Sequence, residues 1–283
     1  MRLNLAAIIV LFLGIALSNC SSGKGKIQYG FGLDSVINYK TVDSTNLKMR
    51  VFFPKDKTTK KLNSAIVFFH GGGWRGGSIS QFEAHAKYYS NKGYVTFLVG
   101  YRVKFRNNTT PFESLMDAKS AMRYIKRNAE RFRVDSSKIV ACGGSAGGHL
   151  AAATALVSGF NEDTDDMTVS TKPEALVLFN PVIDNGPNGY GFERIGELYK
   201  SFSPIYNISK DAPPTIILIG SEDELVPIET IENYKHRMDS VGSFCEVKVY
   251  EGQKHGFFNN RSPDYYKKTL QDVDLFLDKI QKR

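Results

Sequence analysis

The stretch KIVACGGSAGGHLAAATAL, residues 138–156, changes its periodicity in the middle. Up to Cys142 it is a short apolar run fit for a buried strand. From Ala146 onward it is built of small helix formers. Between the two lie Gly143, Gly144 and Ser145, so the serine falls on a tight strand-to-helix turn in Gly-x-Ser-x-Gly form. Neighbours without side chains permit the strained backbone that lifts a hydroxyl out above a sheet, and the following helix points its N-terminus at the same spot, where developing negative charge is favoured. A glycine-rich turn used for packing or for phosphate shares this context. The lysine of a phosphate loop and a GxGxxG spacing are both missing, so the stretch is read as a nucleophile turn centred on Ser145.

Outward from that turn the chain alternates between two patterns. VINYKTV and LKMRVFF flank the turn signal DSTN and read as an antiparallel hairpin. SAIVFFH, YVTFLVGY, KIVACGG, ALVLFNPV, TIILIGS and CEVKVYE read as further strands. Phe112, Leu115, Met116, Met122, Ile125, Ala129 and Phe132 recur at helical spacing, as do Tyr266, Leu270, Val273, Phe276, Leu277 and Ile280. Continuous apolar strands separated by amphipathic helices predict an α/β fold with a mostly parallel, eight-stranded sheet covered on both faces. At 283 residues and 42% hydrophobic content, the chain is long enough for a sizeable core. It is expected to hold one catalytic domain over 31–283, preceded by a leader, 1–19, and a linker, 20–30.

The formal charge of +8 does not point to nucleic acid, because Lys and Arg are interspersed with Asp and Glu along the chain. Arg2 precedes an apolar run from Leu5 to Leu17, the length of a secretory signal core and short for a membrane span. The run closes on Leu17, Ser18, Asn19, Cys20, which resembles a bacterial lipoprotein signal. That resemblance implies an exported protein, lipidated and membrane-attached at Cys20 and lying in the periplasm or on the outer membrane. The competing reading is an ordinary secretory signal with an incidental cysteine. Cys142 and Cys245 remain, too few for a disulfide framework and without metal-ligand spacing, and are expected to be buried free thiols. No metal and no cofactor is expected.

HGGGW, His70 to Trp74, follows the strand SAIVFF directly. Acyl transfer builds an anionic oxygen, and consecutive glycines let backbone N–H groups approach it closely. Gly72 and Gly73 are the expected oxyanion donors, with the amide of Ala146 as the third. His70 is read as fixing the loop by hydrogen bonding. HGGGW, GYR at Gly100 to Arg102, and GGSAGGHLA, in this order, resemble the α/β-hydrolase fold, and within it the hormone-sensitive-lipase-like esterases and bacterial acetyl esterases. Those esterases often carry an acidic residue just before the nucleophile, where this chain has Gly144; that departure leans toward the broader carbohydrate-esterase relatives.

The resemblance implies a triad in the order Ser, Asp or Glu, His. Past the strand TIILIG the segment SEDELVP offers Glu222, Asp223 and Glu224, of which Asp223 matches the family acid by position. Asp184 is the alternative. Past CEVKVYEG comes His255, the expected base, whose ring Asp223 orients. His85 and His236 read as surface or packing residues, and His149, one turn beyond Ser145, as support for the turn. The segment 184–209, with Tyr190, Phe192, Tyr199, Phe202 and Tyr206, is expected to form a lid or pocket wall, its aromatics either stacking on sugar rings or packing beneath the loop. The expected function is hydrolysis of short-chain esters, acetyl groups on carbohydrate above all, through an acyl-enzyme. A serine peptidase of related fold and a catalytically silent binding protein are the alternatives.

Overall fold

The computed structural model describes residues 34–55 and 61–282. The leader, the linker and Cys20 lie outside the described residues. Eight strands form one sheet: β1 (Asp34–Val42), β2 (Thr45–Phe52), β3 (Asn63–Phe69), β4 (Val95–Val99), β5 (Val134–Gly144), β6 (Ala175–Phe179), β7 (Thr215–Gly220) and β8 (Cys245–Tyr250). Their spatial order is β1-β2-β4-β3-β5-β6-β7-β8. β1 pairs antiparallel with β2, and β2 antiparallel with β4; from β4 to β8 every pairing is parallel. The mostly parallel eight-stranded sheet read from the sequence is the observed one.

Parallel strands need crossovers, and the amphipathic helices supply them on both faces. Alternation along β3 sends Val67 and Phe69 to one face and Ile66 and Phe68 to the other. The first face packs on the helices Pro111–Arg127, Ala146–Leu156 and Ile228–Ser240 through Leu115, Leu150 and Ile231. The second is covered by Glu83–Asn91 and Pro263–Gln281 through Tyr89, Leu270 and Phe276. Cys142 and Cys245 are buried free thiols. The apolar periodicity from Phe112 to Phe132 spans two helices: the chain breaks at Asn128 and resumes over Ala129–Phe132 before Arg133 turns left-handed at φ 55°. Packing periodicity continues across such a break because the short second helix buries Ala129 and Phe132 on the same face.

The GYR segment at the end of β4 has a structural explanation. The Tyr101 hydroxyl donates to the His70 carbonyl at 2.5 Å, and the Arg102 guanidinium grips buried Asp117 through Nε and Nη2, both at 2.8 Å. A side chain at Gly100 would put Cβ 2.9 Å from the Lys48 carbonyl oxygen. The segment therefore anchors the loop that begins at His70, leaving the carboxyl ends of β3, β5, β6, β7 and β8 to form one rim.

Candidate active site

β5 delivers its last residue, Gly144, to that rim, and Ser145 follows at φ 54°, ψ −123°, a left-handed conformation that costs a residue with a Cβ about 1–3 kcal/mol. Three backbone hydrogen bonds hold it there. The Ser145 N–H donates to Phe179 O at 2.9 Å, and its carbonyl accepts from His149 N and Val182 N, each at 3.1 Å. The flanking glycines are sterically required. A Cβ on Gly143 would lie 2.1 Å from the Gly147 carbonyl oxygen, and one on Gly147 2.1 Å from Phe69 O. At Gly144 a Cβ would stand 2.6 Å from Cζ of Phe258, whose ring is stacked on Phe179 at 4.6 Å and Phe82 at 5.6 Å. The side-chain space at position 144 is thus filled by the Phe258 ring.

The next two loops meet directly. Asp223 lies just past β7 and His255 just past β8, and His255 Nδ1 stands 2.8 Å from Oδ2 and 3.0 Å from Oδ1 of Asp223. The carboxylate is fully buried, and its Oδ1 also accepts the N–H groups of Leu225 and Val226 at 3.0 Å each. A carboxylate facing Nδ1 fixes the proton on that nitrogen, leaving Nε2 as the basic one in the neutral ring. Asp184, the alternative acid, instead accepts from Gly186 N at 2.8 Å and the Tyr206 hydroxyl at 3.2 Å, within its own loop. Glu224 is exposed and lies 3.7 Å from Lys254.

Asn180 joins the serine to the histidine and was not singled out from sequence. It follows β6 immediately after Phe179, the residue whose carbonyl holds Ser145, and sits fully buried at φ 34°. Its Oδ1 accepts the Gly256 N–H at 3.0 Å, and its Nδ2 stands 3.3 Å from His255 Nε2. With the Nδ1 proton fixed by Asp223, this contact is an amide donating to the basic nitrogen. One signal was available: Asn180 is the first polar residue at the end of the apolar run ALVLF, at the edge where parallel sheets gather their sites.

The glycine loop completes the rim. Gly72, Gly73 and Trp74 all take positive φ, at 120°, 60° and 57°. The Gly71 N–H donates to Gln81 Oε1 at 2.6 Å, whereas among the described residues the Gly72 and Gly73 amides have no protein acceptor. Ala146 opens its helix, so its amide belongs to the first turn, which lacks intrahelical partners. A Cβ placed on Gly71 would be 3.4 Å from Cβ of Ser145, which puts the loop against the serine. His70 holds the loop: its Nδ1 lies 2.7 Å from Gly71 O and its ring stacks on Tyr101 at 4.2 Å. Burial pushes its pKa down to about 4, so it is uncharged at neutral pH.

The remaining histidines are packing residues or surface. His85 is buried among Phe68, Phe82 and Tyr266, His236 is exposed, and His149 stacks on Phe202 at 4.3 Å with Nε2 at 3.1 Å from Phe202 O. Phe202 comes from the segment between β6 and β7, which therefore clamps onto the helix after Ser145. Tyr190 of the same segment reaches Gly73, where a Cβ would meet its hydroxyl at 2.6 Å. Phe202 packs beneath the segment, while Tyr206 is 38% exposed. Two cavities flank the glycine loop. One, of about 600 Å³, is bordered by Gly71, Gly72, Gln81, His255, Asn259 and Arg261; the other, of about 260 Å³, by Gly73, Trp74 and Arg194 among others. Among the described residues no cluster of three or more His, Cys, Asp or Glu is placed to hold a metal ion.

Comparison with known proteins places these features in context. The BD-FAE family profile matches residues 49–191, a span that includes the glycine loop and the serine turn. The chain is 26% identical over 254 residues to an acetylxylan esterase of Xylanibacter ruminicola, covering 84% of this chain and 49% of that protein. It spans about half the length of that relative. Two solved structures of esterase 2 of Thermogutta terrifontis superpose closely. The propionate-bound form has a TM-score of 0.83 at 41% identity, covering 87% of this chain and 94% of that one. The form phosphorylated by paraoxon has a TM-score of 0.82 at 40% identity, with the same coverage.

Proposed function

This chain belongs to the BD-FAE family of α/β-hydrolase serine esterases, and we propose that it hydrolyses short-chain carboxylic esters, acetyl groups on carbohydrate above all, through an acyl-enzyme on Ser145. The observation that carries the reading is the buried Asp223 carboxylate, 2.8 Å from His255 Nδ1, on the rim that also carries a serine at φ 54°. In the reaction His255 Nε2 exchanges the Asn180 amide, 3.3 Å away, for the Ser145 hydroxyl, takes its proton as Oγ attacks the ester carbonyl, and then returns it to the departing alkoxide. Asp223 stabilises the imidazolium in between. The amides of Gly72, Gly73 and Ala146 receive the carbonyl oxygen as it becomes anionic, a contribution of about 10²- to 10³-fold for a single donor. Water then repeats the cycle on the acyl-enzyme.

Two features favour a small acyl group and a hydroxylated alcohol. Propionate is bound in the similar Thermogutta esterase, and phosphorylation of that enzyme by paraoxon is chemistry that activated serines undergo. The larger cavity beside His255 is bordered by Ser78, Ser80, Gln81, Asn259 and Asn260, a lining able to hydrogen-bond sugar hydroxyls. Export and lipidation at Cys20 complete the proposal, placing the enzyme on a membrane surface where it meets extracytoplasmic carbohydrate; incorporation of labelled fatty acid, abolished by Cys20→Ala, checks that part. For the chemistry, Ser145→Ala and His255→Ala are each expected to remove nearly all hydrolysis of p-nitrophenyl acetate while melting within a few degrees of the wild type. Wild-type rates in either variant refute the mechanism. A panel of acetylated xylan, feruloylated sugar and aminoacyl substrates then ranks the esterase reading against a peptidase one.

A further inference from the structure

The smaller cavity, beyond Gly73 from the serine, is bordered by Arg75, Lys104 and Arg194 and by no carboxylate among the described residues. Arg194 is the fixed member. Its Nη1 donates to the Gly73 carbonyl, and its guanidinium lies over the rings of Tyr190 at 5.0 Å and Trp74 at 5.6 Å, so its side chain is only 17% exposed. Its carboxylate partner, Glu193 at 2.9 Å from Nε, is 71% exposed, and solvent screens that pair heavily. Arg75 and Lys104 are exposed, have no ion pair within 4 Å among the described residues, and border the same cavity, with Arg75 over the Phe105 ring at 5.1 Å. The pKa of exposed Glu193 is lowered by its own backbone hydrogen bond and by Arg194, and Arg75 is close enough to add to that lowering. Three cations converging on one cavity repel one another and are only partly desolvated. An apolar group entering there strips their water without replacing it, while a carboxylate replaces that water with charge-assisted hydrogen bonds.

The cavity is also within reach of the chemistry. Gly71 abuts Ser145, and two Cα steps of 3.8 Å place Gly73 at most about 7–8 Å further on. A carboxylate three to five bonds from the scissile carbonyl reaches about 4–6 Å, and its charge-assisted hydrogen bond to a guanidinium or ammonium adds about 3 Å, which covers that distance. We propose that the cavity beside Gly73 binds a carboxylate carried by the ester substrate, either at the far end of a short dicarboxylic acyl group or on a uronic-acid sugar that bears the ester. The proposal rests on the serine-esterase reading above and narrows it: this enzyme prefers anionic substrates to neutral ones of the same size.

Two matched pairs test it: p-nitrophenyl hemisuccinate against p-nitrophenyl butyrate for the acyl source, and acetylated methyl glucuronoside against acetylated methyl glucoside for the sugar source. The readout is the ratio of kcat/KM, anionic over neutral, in the wild type and in the double variant Arg75→Gln, Lys104→Gln. The ratio of one pair is expected to fall on the order of tenfold in the variant, and to fall in the wild type as salt is raised. Ratios unchanged by both perturbations overturn the proposal. Binding is read separately by titration calorimetry of Ser145→Ala with succinate and with glucuronate, against glucose as control. Binding of one acid, weakened by the double variant, supports the site; no binding of either overturns it. A wild type that turns over no ester refutes the esterase reading alone, and the titration still decides the carboxylate site.

Discussion

Replacing Asn180 by alanine separates two roles that the structure assigns to one buried side chain. The change deletes the acceptor of the Gly256 N–H at 3.0 Å and the donor 3.3 Å from His255 Nε2. The first is worth about 1 kcal/mol and the longer second about half that. Alanine must also hold φ 34°, which asparagine tolerates and alanine does not, for about 1 kcal/mol more. The total is about 2–3 kcal/mol, or a fall in Tm of roughly 5–10 °C for a domain of this size. Asn180→Gly loses the same two hydrogen bonds but not the backbone term, so it is expected to be about 1 kcal/mol less destabilised than Asn180→Ala. Both variants are expected to lose kcat/KM on p-nitrophenyl acetate by about tenfold, because losing the Gly256 tether misplaces the histidine loop, a cost that outweighs freeing Nε2 of a 3.3 Å amide contact. Thermal melts and steady-state kinetics on the three proteins suffice. An alanine variant as stable as the glycine one refutes the backbone argument, and wild-type kcat/KM in both refutes Asn180 as a positioning residue.

Other outcomes follow from the same contacts. His70, His85 and His149 are buried with pKa values lowered to about 4, 3 and 3, chiefly by desolvation. The unfolded rings protonate near 6.5 and the folded ones do not, so stability is complete above that pH and drains as pH falls toward 4, by up to about 1.4 kcal/mol per unit for each ring. Melts between pH 7 and 4.5 check this, and a flat Tm rejects it. His85→Phe removes a ring whose two nitrogens have no partner within an aromatic cluster; it is expected to raise Tm at neutral pH and to reduce the acid slope by about a third. Gly144→Ala drives a Cβ to 2.6 Å from the Phe258 ring, which is hemmed in by Phe82 and Phe179. The expected result is a loss of about 1–3 kcal/mol together with reduced kcat, since Phe258 follows His255 on the same loop; unchanged melting and kinetics contradict it.

The proposed ester hydrolysis and the proposed selection of anionic groups belong to the two sides of one loop. Gly71 and Gly72 face the polar cavity with His255, and Gly73 faces the cationic one with Arg194. Because Tyr190 and Arg194 both touch Gly73, the segment between β6 and β7 borders the second cavity and steadies the glycine loop at the same time. Changes in that segment are therefore expected to alter the rate as well as substrate choice.

Much of this was legible along the chain because it is local. Strand periodicity, helical spacing and the glycines around Ser145 each reflect backbone sterics within a few residues, and the sheet and its serine turn follow from them. Asp223 and His255 stood out through the order that the family resemblance implies and their places past strand ends, whereas their contact at 2.8 Å is a fact of the fold. What stayed hidden is long-range. Asn180 carries no motif, and its meaning depends on β6 and β8 ending at the same rim, 75 residues apart in sequence. Phe258 filling the space above Gly144, and Arg75, Lys104 and Arg194 converging beside Gly73, likewise exist only once distant segments pack. The chain by itself determined which backbone turns are sterically allowed; the tertiary structure alone decided which side chains those turns bring into contact, because contact energies act through space and carry no period along the polymer.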